Sequence, residues 1–282
     1  MNQTQASLPV LPLPSVCRLR LRYRVEAAGF LPRRKHSALR GLLGQALMAH
    51  DPELYHRLYA IRVADDHPYA RRFREAPAPY VVESPDRREA FDGSELLPMH
   101  LTLLGGAARL MPELMPVLDS FGGRGLGPEA VPLRLQDLEI LPPFPAPDPA
   151  PTWHLHLHTP LRVVKGGELA DPLRFDLLIH RLAERLSLLA HFHDGGPLID
   201  DFAPWIEAAQ AARILHSDLR PLTLHQHGAA KRQKRTLAGW VGRISYTDVH
   251  PDLVPLLHTG SLVRLGKGAP WGMGRFSVSS EQ

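Results

Sequence analysis

The sequence predicts an α+β protein built from two tandem ferredoxin-like βαββαβ domains, the second ending in a glycine-rich loop. Three observations predict it. First, a proline-dense stretch, LPPFPAPDPAP from Leu141 to Pro151, divides the 282-residue chain into halves of similar size. Proline neither continues a helix nor sits inside a sheet, so this stretch reads as a stiff linker. Second, each half opens with a strand in which polar and apolar residues alternate. Third, each half then runs helix, strand, helix, glycine loop, strand. With one further strand per half, this is a duplicated split βαβ arrangement, with helices on one face of an antiparallel sheet. The expected boundaries are residues 1–143, a linker at 144–151, and residues 152–282.

The elements follow in order. CRLRLRYRV is the first strand, with Leu19, Leu21 and Tyr23 on its apolar face and Arg18, Arg20, Arg22 and Arg24 on the other. SALRGLLGQALMAH is helical, its stripe formed by Leu39, Leu42, Leu43, Ala46 and Leu47, with Ser37 as the expected cap. MHLTLLG, AARLMPELMPVLDSF, GGRGLG and LRLQDLEIL read as strand, helix, glycine loop and strand. In the second half, WHLHLHTPLRVV is a strand and DPLRFDLLIHRLAERLSLLAHFH a helix. Asp171 and Pro172 suit that helix's first turn, and Gly195 and Gly196 stop it. GWVGRISYTDV, HPDLVPLLHTG and RFSVS read as strand, short helix and last strand, with a glycine loop before the last.

Composition narrows the function. The net charge of +4 is modest, but arginines cluster, which favours a polyanionic partner. The single cysteine, Cys17, excludes an internal disulfide framework and suits a reducing compartment. The proline-broken N-terminus is neither signal peptide nor anchor, and no apolar run is long enough to span a bilayer. A cytoplasmic protein with no membrane association is expected.

The loop RLGKGAPWGMGRF carries Gly266, Gly268, Gly272 and Gly274 with Lys267, Trp271 and Arg275. Its spacing does not fit a Walker A loop, and its place before a final strand does not fit a dinucleotide fingerprint. No nucleotide cofactor is therefore expected. Lys267, Arg264 and Arg275 flank backbone N–H groups that could face a phosphodiester chain, and Trp271 could stack on a base. Lys231, Arg232, Lys234 and Arg235 form the densest basic run, expected in a loop before a strand of the same half. HLHLH places His154, His156 and His158 on one strand face without a carboxylate or thiol partner nearby in sequence. A polar sheet face is the favoured reading there, and no metal site is expected.

FLPRRKHSALRG gathers Arg33, Arg34 and Lys35 before His36, with Arg40 one turn on. A histidine among cations stays neutral and can accept a proton, while the cations can stabilise a phosphorane. Metal-free RNA cleavage needs these elements together with an acid for the leaving 5′-oxygen. Tyr23, at the end of the preceding strand, is placed near by the expected fold.

The chain resembles the CRISPR repeat-processing endoribonucleases of the RAMP superfamily. The matching pieces, in family order, are LRGLLGQAL, PAPYVVESP, FDGSELLPMHLTLLGGA, FGGRGLG, TPLRVVKGGEL, RLAERLSLLAHFH, KRQKRTLAGWVGRISY and LGKGAPWGMGRF. The resemblance implies tandem RAMP/RRM-like domains that grip CRISPR repeat RNA, with the closing glycine loop helping to hold it. It implies a catalytic histidine after the first strand or on the first helix, which is His36, assisted by Tyr23 with Lys35 or Arg40. An arginine-rich site built from Arg24, Arg34, Arg40 and Arg243 stays open. So do a type IV system member that keeps its mature crRNA, association with other CRISPR effector subunits, and a non-cleaving RNA-binding scaffold. On this reading the glycine loop grips RNA while the chemistry lies about a domain away, around His36.

Overall fold

The computed structural model describes residues 7–142, 150–227, 234–266, 268–269 and 272–281, without the side chains of 225–227, 234–237 and 281. The first half comprises β1 (Val16–Val25), β2 (Ala28–Phe30), α1 (His36–His50), α2 (Pro52–Leu58), β3 (Tyr80–Glu83), β4 (Ala90–Asp92), β5 (Leu96–Leu104), α3 (Met111–Ser120) and β6 (Leu133–Leu141). The second comprises β7 (Thr152–Leu161), β8 (Val164–Lys165), β9 (Glu168–Leu169), α4 (Phe175–Asp194), α5 (Ala203–Ala209), β10 (Arg213–His227), β11 (Lys234–Thr247), α6 (Val254–Val263) and β12 (Phe276–Glu281).

The main sheets run β3-β5-β1-β6 and β10-β11-β7-β12. Renumbered within each half, both orders are second-third-first-fourth, and every pair is antiparallel. The chain is therefore two tandem ferredoxin-like domains. The alternation in β1 holds: Leu19, Leu21, Tyr23 and Val25 are buried with α1 and α3 in one core. In the other half, Leu155, Leu157, Ile244 and Tyr246 are buried with α4 and α6. Each fully buried leucine contributes roughly 1.5–3 kcal/mol. The opposite faces carry the β1 arginines in one sheet and His154, His156 and His158 in the other. Two of those histidines bond their own sheet, His154 to Ser245 at 2.7 Å and His158 to Ser277 at 2.9 Å. Among the described residues no helix is long and apolar enough to cross a membrane.

Local expectations differ at both long helices. Leu39 N–H donates to Lys35 O at 2.8 Å, so Lys35 rather than Ser37 precedes α1, and no side chain caps it. Arg174 precedes α4 and pairs with Asp176, leaving Asp171 and Pro172 in the approach. The helix does stop at Asp194, immediately before Gly195. The unread further strand of the second half is β10, and its partner β11 begins at Lys234, so part of the expected basic loop is strand. Residues 143–149 of the linker, and Lys231, Arg232, Lys267 and Trp271, lie outside the described residues.

The halves are joined by more than the linker. Leu11 and Leu104, from the first half of the chain, belong to the second core. Ser15 N–H donates to Asp194 at 2.9 Å, and His193 Nε2 lies 2.7 Å from Pro77 O. This docking brings the start of α1 and the end of β3 against the segment between α6 and β12.

Candidate active site at the junction of the two halves

His36 opens α1 and is only 5% exposed. Neither ring nitrogen has a hydrogen-bond partner among the described residues. Burial, then the positive charge of Arg264, holds the imidazole down to about 3, with Arg87 and Arg275 adding to the effect against Glu83. It is therefore neutral at pH 7, as the arginine-rich sequence around it led one to expect, although burial dominates over charge.

The glycine loop packs directly on this histidine. A Cβ on Gly272 would stand 2.6 Å from His36 Cβ and 2.7 Å from its Cγ. Gly272 also has φ of 85°, which L side chains rarely adopt. The expectation that loop and chemistry lie a domain apart is thus corrected, because domain docking closes that distance. Gly274 is equally constrained: a Cβ there would meet Leu265 O at 1.6 Å. Its N–H donates to Pro160 O at 3.0 Å, and that of Gly272 to Ala269 O at 3.0 Å. Met273 N–H donates to Gly268 O at 3.3 Å and Ala269 N–H to Gly266 O at 3.3 Å. These amides are spent inside the protein, so their expected aim at a phosphodiester is corrected too. The glycines serve close approach.

Arginines flanking the loop are held by a carboxylate from the other half. Glu83, the last residue of β3, pairs with Arg264 at 2.5 Å and Arg275 at 3.4 Å. Burial alone would raise the Glu83 carboxyl, but Arg264 and Arg275 outweigh it and hold it below the usual carboxylate range. Arg264 is 1% exposed and structural, whereas the Arg275 side chain is 30% exposed. Arg185 of α4 donates to the carbonyls of Val263 and Arg264, fixing the end of α6 where the loop begins.

Lys35 is not free for catalysis. It is 1% exposed, and its Nζ donates to Arg88 O at 2.6 Å and Asp86 O at 3.3 Å. It thereby anchors the residues on either side of Arg87. Arg87 is exposed, and its guanidinium is held below its usual value by burial and then by Arg275, Arg34 and Arg33. Arg33 and Arg34 are exposed as well. Arg87 thus carries the repulsion of Arg275, Arg34 and Arg33, and with Arg275 it also acts on His36, an arrangement that an anion relieves.

Tyr23, expected as an assistant, is instead a core residue. It is 0% exposed, tilted on Phe121, and donates to Leu118 O at 2.7 Å. Burial pushes its hydroxyl well above the usual tyrosine value. The parity of β1 puts it under the sheet. Arg40 points along α1 to Tyr59, donating to its hydroxyl at 2.6 Å and lying over its ring. Arg24 is exposed on the open sheet face, and Arg243 is exposed on the other sheet beside His156 in register. Neither is brought to His36 by any contact described. Gly266 and Gly268 belong to the loop, while the side chains of Lys234 and Arg235 lie outside the described residues. Sequence reasoning missed Glu83 and Arg87. The only signal for Glu83 was a charge ending the apolar run YVVE.

No group of three or more His, Cys, Asp or Glu side chains among the described residues is arranged to hold a metal ion. By sequence, no curated protein matches the chain. The family model for CRISPR-associated endoribonuclease Cas6 matches residues 155–276, and a second model, described as an N-terminal domain, matches residues 11–148. Among solved structures, a Cas6 product complex superposes with TM-score 0.60 at 17% identity, covering 95% of this chain and 100% of the other. Thermus thermophilus Cas6 gives TM-score 0.57 at 15% identity, covering 94% and 99%. A partial Cas6-RT-Cas1–Cas2 complex gives 0.63 at 14%, covering 97% of this chain and 47% of that one. Residues 155–276 therefore match the model of the CRISPR-associated endoribonuclease Cas6 family, and nearly the whole chain shares the fold of solved Cas6 proteins.

Proposed function

We propose that the protein is a metal-independent endoribonuclease that binds CRISPR repeat RNA and cuts it once, retaining the mature crRNA. The observation that carries this is a buried, neutral His36 with no hydrogen-bond partner among the described residues, under the charges of Arg264, Arg87 and Arg275. His36 accepts the proton of a 2′-OH as that oxygen attacks the adjacent phosphorus. Arg87, Arg275, Arg33 and Arg34 hold the phosphate and its developing charge. The products carry a 2′,3′-cyclic phosphate and a 5′-OH. Lys231, Arg232, Lys234, Arg235 and Arg243 extend the RNA track over the second half, and Lys267 and Trp271 grip from the loop. The first domain, residues 1–143, carries the histidine, and the second, residues 152–282, covers it. Solved Cas6 structures in product and substrate-mimic complexes support an RNA ligand, and the Cas6-RT-Cas1–Cas2 assembly supports CRISPR protein partners.

The 5% exposure of His36 favours a second reading, a non-cleaving repeat-RNA scaffold. Cleavage requires RNA to reach a ring nitrogen that is buried in the free protein. One assay separates the readings: repeat RNA of the protein's own locus in EDTA, beside the same RNA with one 2′-deoxy substitution at the cut. Cleavage of the first alone is expected. Cleavage that needs metal, or that survives the deoxy substitution, refutes the mechanism, and tight binding without cleavage establishes the scaffold.

A further inference from the structure

A second histidine reaches the same site from the other half. His158 lies near the end of β7, and its main-chain N–H donates to Arg275 O at 2.9 Å. Its ring Nε2 stands 2.9 Å from Ser277 Oγ, and its ring centre is 4.2 Å from that of His156. Gly272 packs on His36 and the Arg275 carbonyl accepts from the His158 main chain, so three Cα-to-Cα steps, at most ~11 Å extended, separate the two points of contact. Both rings share the same charged neighbours: Glu83 and Arg275, paired at 3.4 Å, and Arg87.

Cleavage of a phosphodiester through its 2′-OH needs two proton transfers on opposite sides of phosphorus. One group takes the 2′-OH proton, and another supplies a proton to the departing 5′-oxygen. The two rings differ in access. His36 is buried under Gly272, whereas His158 is partly exposed and its partner Ser277 is at the surface. The donor must take up a proton from water before the cut, which suits the accessible ring, whereas the base must start neutral, which burial favours. Ser277 occupies Nε2, leaving Nδ1 to carry the transferable proton.

We propose that His158 is the general acid of the cleavage reaction, donating its proton to the 5′-oxygen while His36 removes the proton of the 2′-OH. The inference rests on the cleavage reading above. As the 2′-oxygen bonds to phosphorus, its proton passes to neutral His36. The bond from phosphorus to the 5′-oxygen breaks, and its electron pair takes the proton of His158. His36 finishes protonated and His158 neutral, and exchange with water restores both. Burial, then the neighbouring His156 and Arg275, holds His158 down to about 4 in the free protein. A phosphodiester anion seated beside it favours the charged form that the step requires.

The test uses the full-length protein in EDTA under single-turnover conditions. Two repeat RNAs are compared, one natural and one with sulfur replacing the bridging 5′-oxygen at the cut. Sulfur leaves without needing a proton. His158→Gln is expected to cut the natural RNA ~10²–10⁴-fold more slowly than wild type, yet to cut the sulfur RNA at the wild-type rate. His36→Ala is expected to be slow on both. A His158→Gln protein that is fast on natural RNA, or slow on both RNAs, overturns the assignment while cleavage itself stands. Wild-type protein that cuts neither RNA refutes the cleavage reading and the assignment with it.

Discussion

Replacing Gly272 with alanine tests the contact on which the site depends. The residue has φ of 85°, and a left-handed conformation costs an alanine about 1–2 kcal/mol. Its methyl group would stand 2.6 Å from His36 Cβ, and overpacking of that kind costs about 1–3 kcal/mol. Together the substitution removes ~2–5 kcal/mol if the loop stays in place, a large part of a typical stability of ~5–15 kcal/mol. The loop otherwise moves off the imidazole and the site comes apart. Urea unfolding and single-turnover cleavage read the two outcomes. Gly272→Ala is expected to unfold at lower urea and to cut more slowly. Gly41→Ala, on the open side of α1 with nothing within 4 Å of a new Cβ, is the control. It should be unchanged or more stable by about 0.5–1 kcal/mol. Gly272→Ala matching wild type in both stability and rate would falsify the packing of loop on histidine.

Three further outcomes are expected. Glu83→Gln leaves the buried Arg264 charge without its counter-ion, which should lower stability by about 3–5 kcal/mol. Because the Glu83 carboxyl is held below its usual value, its contribution is present above about pH 4 and lost as pH falls further; the glutamine variant should lack that acid limb in urea titrations. His36 is neutral when folded and titrates at about 3, so the unfolded chain takes up its proton first as pH falls from about 6.5. Stability should therefore drop between pH 6.5 and 3, and His36→Ala should flatten that slope. Tyr23→Phe removes only the buried bond to Leu118 O, so it should reduce stability by about 0.5–1.5 kcal/mol and leave the cleavage rate unchanged.

The fold was readable where one residue pattern decided it. The alternation of β1 and the stripe of α1 each bury a single face, so Leu19, Leu21, Leu39 and Leu43 fell where their periodicity put them. The proline stretch marked the division, and repetition of element order revealed the duplication. Helix starts were less legible. Ser37 and Asp171 looked like caps, but the first turns were set by Lys35 O and by Arg174 with Asp176. Of the site, His36 and its arginines could be read because they adjoin in sequence. Tyr23 was misjudged because a tyrosine on an apolar strand face follows that face into the core. Glu83 and Arg87 stayed hidden because their importance comes from docking one half on the other. The distance in sequence between Glu83 and Arg264 carries no local pattern. The glycine loop was read as a grip on phosphate because glycine density suggests exposed amides, whereas its described amides close on Ala269, Gly268, Gly266 and Pro160.

On the mechanism proposed above, His36 serves as the base in attack of a 2′-OH. The most direct measurement identifies, by mass spectrometry, the ends of repeat RNA cut in EDTA by wild-type protein and by His36→Ala. A 2′,3′-cyclic phosphate and a 5′-OH are expected from the wild type, and intact, still-bound RNA from the variant. A 3′-OH with a 5′-phosphate, or undiminished cutting by His36→Ala, would contradict it.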